Sequence, residues 1–225
     1  MECIYIPELT EEHDIIDIPQ QEEQHVKALR LSSGDQILAV NGKGLETICE
    51  IRFKEKHAYL NIFGKTEALP SKYITLAFGM ILDKERMEYL VEKCTEIGVS
   101  EFQPLITKHT QRKNFKTERF EKKAIAAMKQ SRRAILPKIN EPMKLEDFMK
   151  NQKGTIITTD YAGNTDYNVP EKKVIILIGP EGGFSPEEIE RIKHKAKYNW
   201  RISDNRLRTE TAAVIASTFA ITDFL

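Results

Sequence analysis

The chain has 225 residues, 34 Lys+Arg against 34 Asp+Glu, 40% apolar residues and 30% charged ones. That mixture can bury a core and excludes a disordered chain or a uniformly polybasic nucleic-acid coat, and the length allows one large domain or two small ones. The longest purely apolar run, residues 174–178, is far short of the ~20 residues of a membrane helix, so no membrane partner is expected.

Eight acids (Glu2, Glu8, Glu11, Glu12, Asp14, Asp17, Glu22, Glu23) precede the first base, Lys27, which is the reverse of a signal or transit peptide. Residues 4–6, 37–40 and 59–63 read as short strands, with a helix over residues 20–31. Asn41-Gly42 is a type I′ hairpin signal. After it, Leu45, Thr47, Cys49, Ile51 and Phe53 alternate with more polar neighbours at period two. Several short strands in close succession suggest a small barrel over residues 1–68. Ala68-Leu69-Pro70-Ser71 is a plausible linker, since proline stops a strand. Cys3, Cys49 and Cys94 are too few and too widely spaced for a disulfide framework or a metal site. Neither they nor the scattered His13, His25, His57, His109 and His194 suggest a metal, and a cytoplasmic protein is expected.

From residue 72 the rhythm changes. Residues 75–80 read as a buried strand. Met87, Leu90, Val91, Cys94 and Ile97 then fall at helical spacing, with Gly98 at the C-terminal cap. A strand at residues 102–107 leads into a basic stretch. Residues 108–138 hold eleven bases, among them Arg112, Lys113, Arg132 and Arg133, against Glu118 and Glu121. Such a run is either a solvated helix face or a phosphate-contacting surface. A short helix at 145–150, strands at 155–160 and 174–178, and helices at 186–198 and 211–224 complete an α/β alternation with a largely parallel sheet.

The strand at 174–178 breaks into Gly179-Pro180-Glu181-Gly182-Gly183-Phe184. Ser185-Pro186-Glu187-Glu188 then starts a helix, with Ser185 as N-cap, Pro186 at the first position and Glu188 closing a capping box. Ligands in α/β folds bind at the carboxyl ends of such strands, and glycines let them approach the main chain. The loop lacks the Gly-Lys-Ser/Thr of a P-loop and the glycine spacing of a dinucleotide site. Glu181 would also repel a phosphate. A nucleoside ligand without phosphate and with a positive centre, such as S-adenosylmethionine, suits it; a ligand-free αβ turn is the alternative. Further on, Arg206, Arg208 and Glu210 stand before a helix rich in small apolar residues. They could form a structural ion pair or hold a ligand at the helix N-terminus.

Ile178-Gly179-Pro180-Glu181-Gly182-Gly183-Phe184-Ser185 together with Leu207-Arg208-Thr209-Glu210-Thr211-Ala212 resembles the RsmE family of bacterial 16S rRNA (uridine-N3) methyltransferases. The resemblance runs over nearly the whole chain, through Lys84-Glu85-Arg86-Met87-Glu88, Gln130-Ser131-Arg132-Arg133 and His25-Val26-Lys27-Ala28-Leu29-Arg30. It implies a SPOUT-type α/β domain with a deep trefoil knot over residues 72–225 and a PUA-like RNA-binding β-barrel over 1–68. It further implies a homodimer acting on 16S rRNA in the small ribosomal subunit, with no DNA partner. S-adenosylmethionine would be held by Ile178, Gly179, Pro180, Glu181 and Gly182, by Ile202, Ser203 and Leu207, and by Thr159. Arg30, Arg86, Arg132 and Arg133 are the implied RNA contacts.

Uridine N3 carries a proton and is a poor nucleophile until that proton is lost. Glu210 is the candidate acceptor and Arg208 the candidate to stabilise the anionic uracil oxygen; Glu210 could instead orient Arg208 or cap the helix. Two other readings stay open: a SPOUT enzyme acting on another RNA or base atom, and a non-catalytic RNA-binding assembly factor.

Overall fold

A computed structural model describes residues 1–54, 57–111 and 115–222. Arg112 and Lys113 of the basic stretch, and Phe224 at the end of the last predicted helix, lie outside the described residues. The first half of the chain runs β1 (Cys3–Tyr5), β2 (Ile15–Asp17), α1 (Gln20–Ala28), β3 (Gln36–Val40), β4 (Leu45–Lys54), β5 (His57–Glu67), β6 (Tyr73–Gly79), α2 (Lys84–Ile97) and β7 (Glu101–Ile106). There follow α3 (Thr117–Gln130), β8 (Lys138–Ile139), β9 (Met143–Lys144), α4 (Leu145–Lys150), β10 (Thr155–Asn164), β11 (Lys173–Ile178), α5 (Pro186–Lys193), β12 (Ala196–Trp200) and α6 (Thr209–Ile221). They divide into two compact units, one of Met1–Leu69 with Ile125–Leu136, the other of Pro70–Ala124 with Pro137 onward.

In the N-terminal unit five strands form a sheet in the order β1-β3-β4-β5-β2. The period-two pattern of β4 buries Leu45, Thr47, Cys49 and Ile51, while Phe53 leaves the pattern and is exposed. Cys49 and Ile51 pack with Ile4, Ile37, Leu60 and Val26 of α1. The other sheet face is closed by the end of α3, where Met128 and Ala134 meet Cys3, Leu38 and Val40. There Lys129 Nζ donates to both carboxylate oxygens of Glu22, at 2.8 and 3.0 Å. Helices α1 and α3 each run out into an arginine with left-handed backbone, Arg30 and Arg132, both at φ 54. After α3, the Arg132 N–H donates to Lys129 O and the Arg133 N–H to Met128 O. These are the paired bonds of a Schellman motif, whose left-handed position usually belongs to glycine.

The β3–β4 connection differs from the sequence expectation. It has four residues, and its left-handed positions are Gly42 (φ 72) and Gly44 (φ 112), not Asn41 and Gly42. Asn41 instead uses its side-chain oxygen to accept from the Lys43 and Leu45 N–H groups, a local cap that replaces the two-residue turn.

The C-terminal unit is an α/β layer structure. Its sheet runs β12-β10-β11-β6-β7-β8, with β9 also beside β7, and every pairing is parallel. Helices α4 and α5 cover one face, where Leu145, Phe148, Met149 and Ile192 meet Ala77, Ile156, Ile175 and Leu177. Helix α6 packs over β6 and β11 and against α2. Gly98 caps α2 at φ 123, and a Cβ there would lie 2.4 Å from Ile221 Cδ1, so glycine also lets the two helices close up.

The predicted helix at 186–198 stops at Lys193. Residues 196–200 form β12, so the strand expected at 200–203 starts earlier. The reason is tertiary: β10 offers an open edge, and Trp200 is fully buried when its segment pairs there. The three short strands β2, β8 and β9 had no pattern long enough to read.

Candidate active site

The carboxyl ends of β6, β10 and β11 open into a cleft of about 840 Å³, closed on the other side by residues 202–209 and the start of α6. Two features of the sequence shape it. A Cβ on Gly79 would fall 2.3 Å from Pro180 Cδ and 2.4 Å from Pro180 N, so only glycine at the end of β6 lets the loop cross it. Gly163 meets the Trp200 and Arg201 backbone just as closely. It sits in the irregular part of β10, between Thr159 and Asn164, where Asp160 and Tyr161 line the cleft.

The glycine loop is tied at several points. The Gly183 N–H donates to Pro180 O at 2.8 Å, with Gly183 at φ 69. The Ser185–Glu188 capping box forms as the sequence indicates. Thr209 Oγ1 donates to Gly179 O at 3.0 Å, joining the glycine loop to the head of α6. Glu181 accepts from the Leu82 N–H at 3.2 Å and faces Arg86 Nη1 at 3.6 Å.

Thr159, Ile178, Gly179, Pro180, Glu181, Ile202, Ser203 and Leu207 all line this cleft, as does Arg208. Gly182 does not; it faces a neighbouring cleft across the Glu181 wall. Glu210 stands behind the lining. Its two oxygens accept from Arg86 Nε at 2.8 Å and Nη2 at 2.7 Å, so its partner is Arg86, not Arg208. Arg86 itself lines the cleft, with its guanidinium given over to Glu210 and Glu181, which leaves it poorly placed as an RNA contact. Arg30, Arg132 and Arg133 belong to the N-terminal unit, where Arg30 and Arg132 are exposed and Arg133 is half-buried.

Burial opposes the charge on Glu210, but the Arg86 hydrogen bonds, a backbone bond and the nearby Arg86 and Arg208 charges win, and its carboxyl is held below the usual 4.5. A carboxylate so held is a weak proton acceptor. The same bonds raise Arg86. Burial pushes Arg133 down to about 10, still protonated at neutral pH. The thiols of Cys3 and Cys94 are pushed by burial up to about 12, which removes them as nucleophiles. Among the described residues no cluster of His, Cys, Asp and Glu could hold a metal.

Sequence reasoning missed Gly79, Asn199 and Asp83. Asp83 caps α2, accepting from the Glu85 and Arg86 N–H groups, and so presents Arg86 to the cleft. Its sequence signal was present: an aspartate immediately before Lys84-Glu85-Arg86. Asn199 lines the cleft from the end of β12, and its Oδ1 is buried without a hydrogen-bond partner among the described residues. The misplacement of β12 hid it.

The basic stretch is largely matched by acids within each unit. Arg119 and Lys123 pair with Glu88, Lys123 also with Glu92, Lys138 with Glu101 and Lys129 with Glu22.

Residues 68–221 match the RNA methyltransferase domain family. The chain is 31% identical, over 89% of its length and 91% of the relative's, to ribosomal RNA small subunit methyltransferase E of Aquifex aeolicus. It is 28% identical to the protein of the same name from Bacillus subtilis, covering 94% of this chain and 93% of that one. A Legionella pneumophila protein solved in complex with bound cofactor S-adenosylmethionine is 30% identical, with a TM-score of 0.81 over 96% of this chain and 94% of that one. Ribosomal RNA small subunit methyltransferase E from Neisseria gonorrhoeae, bound to S-adenosylmethionine and 23% identical, shares the fold with a TM-score of 0.87 over 96% and 95%.

Proposed function

The chain belongs to the RNA methyltransferase domain family, and from that premise we propose that it methylates N3 of a uridine in the 16S rRNA of the small ribosomal subunit, with S-adenosylmethionine as donor. The observation that carries this reading is the cleft itself: an open glycine main chain, joined to the 202–209 loop through Thr209, beside an unpartnered Asn199 oxygen.

The residues present fit that donor. Main-chain groups of Ile178, Gly179, Pro180, Ile202, Ser203 and Leu207 can grip an adenosyl group, with Thr159 alongside. Asn199 Oδ1 offers an acceptor to a hydroxyl or amino donor. Asp83, Asp160 and Glu181 suit a ligand carrying positive charge, and no P-loop is there to hold a phosphate. When bound, the donor supplies an electrophilic methyl group on a sulfonium sulfur.

The chain's own part is to place the uridine and favour its anion. Arg208, exposed at the N-cap of α6, stabilises the uracil oxygen as N3 loses its proton. Glu210 acts through Arg86, fixing the guanidinium that in turn faces Glu181. Arg30, Arg132 and Arg133 contact the RNA backbone. In this reading the C-terminal unit is a knotted SPOUT domain working as a homodimer, and the N-terminal unit is a PUA-like RNA-binding module. The protein works in the cytoplasm; no described helix is long and apolar enough to cross a membrane.

The test is mass-spectrometric mapping of small-subunit rRNA in a strain lacking the gene, where one uridine should lose its N3 methyl group and regain it on complementation. An unchanged rRNA would overturn the proposal. Arg208→Ala should abolish methylation while calorimetry still shows cofactor binding; unchanged turnover would remove Arg208 from the chemistry.

A further inference from the structure

A second cleft of about 560 Å³ lies on the far side of the Glu181-Gly182 wall, lined by Met80, Leu82, Lys108, His109, Thr110 and Gln111 together with that wall. It too opens at the carboxyl ends of parallel strands: Met80 and Leu82 follow β6, residues 108–111 follow β7, and Glu181 follows β11. Glu181 lines both clefts.

The two sides of this cleft differ in chemistry. On one side Leu82 keeps 55% of its surface exposed, beside the buried Met80. Most large aliphatic side chains of this unit are buried, so Leu82 is an apolar face with room for a flat ring. On the other side stand a cation, an imidazole, a hydroxyl and an amide. His109 Nδ1 lies 3.1 Å from both Gly182 O and Gly183 O. Carbonyls only accept, so the Nδ1 proton is fixed there and Nε2 is the ring's remaining polar atom. A Cβ on Gly182 would sit 3.0 Å from His109 Cβ, so the glycine lets the ring lie against the loop. The Lys108 N–H donates to Glu188 Oε1 at 2.9 Å, which anchors the same loop to the head of α5. The Lys108 ammonium reaches Glu187 only at 3.4 Å, and both side chains are well exposed, so the pair is loose enough to exchange partners.

We propose that this second cleft receives the target nucleotide of the RNA, its base against Leu82 and Met80 and its phosphate toward Lys108, His109 and Gln111. The volume suits one nucleotide, since pockets of roughly 300–1,000 Å³ take small ligands. Shared lining by Glu181 puts the nucleotide next to the methyl-donor cleft. The inference rests on the rRNA methyltransferase reading. It adds to that reading where the acceptor binds, and makes His109 and Leu82 positioning residues.

The test uses full-length protein, small ribosomal subunits lacking the modification, and S-adenosylmethionine carrying a labelled methyl group. His109→Asn keeps a donor near the Gly182 and Gly183 carbonyls but lacks the Nε2 position, whereas Leu82→Ser removes the apolar face. Each should raise KM for subunits roughly tenfold, the loss of one good contact, with the calorimetric Kd for S-adenosylmethionine unchanged. Subunits carrying 5-iodouridine at the target should photo-crosslink to the peptide holding Leu82 or His109. Wild-type KM in both variants, or a cofactor Kd weakened in step with KM, would overturn the inference. So would a Leu82→Ser variant that changes oligomeric state in sedimentation, since the cleft would then be a self-association surface. If wild-type protein binds S-adenosylmethionine but adds no label to rRNA, the functional reading fails first and takes this one with it.

Discussion

In the C-terminal unit Arg86 is held by three oxygens: two from Glu210 and, at longer range, one from Glu181. In the N-terminal unit Arg30 and Arg132 are exposed, each on a left-handed backbone that costs a non-glycine residue about 1 kcal/mol. Identical residue types thus do opposite work. Arg86 is a fastener that stiffens a cleft, and its charge is already answered. The other two are displayed at some cost to the fold, which makes sense if their charge is needed outside it. The contrast also separates two ways of losing activity: disturbing the cleft should abolish cofactor binding, and disturbing the display should weaken RNA binding alone.

The hardest blow to the cleft side is Gly79→Ala. The new methyl group would overlap Pro180, whose backbone cannot move without shifting the glycine loop. A loss of about 1–3 kcal/mol in denaturant unfolding is expected, with cofactor binding lost in calorimetry. A normal binding isotherm would mean the loop has freedom that the contact denies.

Glu210→Gln comes next, at about 1–3 kcal/mol, since it leaves Arg86 with a neutral partner in a largely buried site. Its pH signature is distinctive. The folded-state carboxyl titrates below 4.5, so its stabilising effect is fully present above that pH and disappears as pH falls below it. The variant should therefore differ from wild type at neutral pH and converge with it in acid. Parallel curves across the whole range would show that the ion pair contributes nothing.

Asn199→Leu should leave unfolding unchanged or slightly improved, because a buried acceptor without a partner is removed. Cofactor affinity should fall by about 1 kcal/mol, or roughly fivefold. Undiminished affinity would mean the oxygen does not meet the ligand.

The smallest effect has the opposite sign. Arg132→Gly should stabilise the protein by about 0.5–1 kcal/mol by relieving the left-handed position. RNA binding should weaken alike across sequences, and its salt dependence should become shallower. A variant that is both more stable and equally good at binding RNA would dissolve the contrast.

Much of the cleft was legible because its signals are local. Ser185, Pro186 and Glu188 write a helix start into four consecutive residues, and the run at 174–178 has no reading but a buried element. Pairings across the chain were not legible. Glu210 finds Arg86 from more than a hundred residues away, and nothing near either residue says so. The β12 error is of the same kind: residues 194–198 carry helix formers, and only the open edge of β10 turns them into a strand. Gly79 looks like an ordinary strand end until Pro180 is laid across it. The Arg30 and Arg132 backbones run against propensity, and so could not be inferred from it.

The N-terminal unit is discontinuous: its sheet is complete by Leu69, but the segment closing the Cys3, Leu38 and Val40 face arrives only at residues 125–136. During synthesis the sheet therefore emerges with one apolar side bare, and the whole of residues 70–124 must follow before Met128 and Ala134 can cover it. At about 5–20 residues per second that is a delay of several seconds. For that interval the nascent chain is a client for whatever shields apolar surface at the exit of the ribosome.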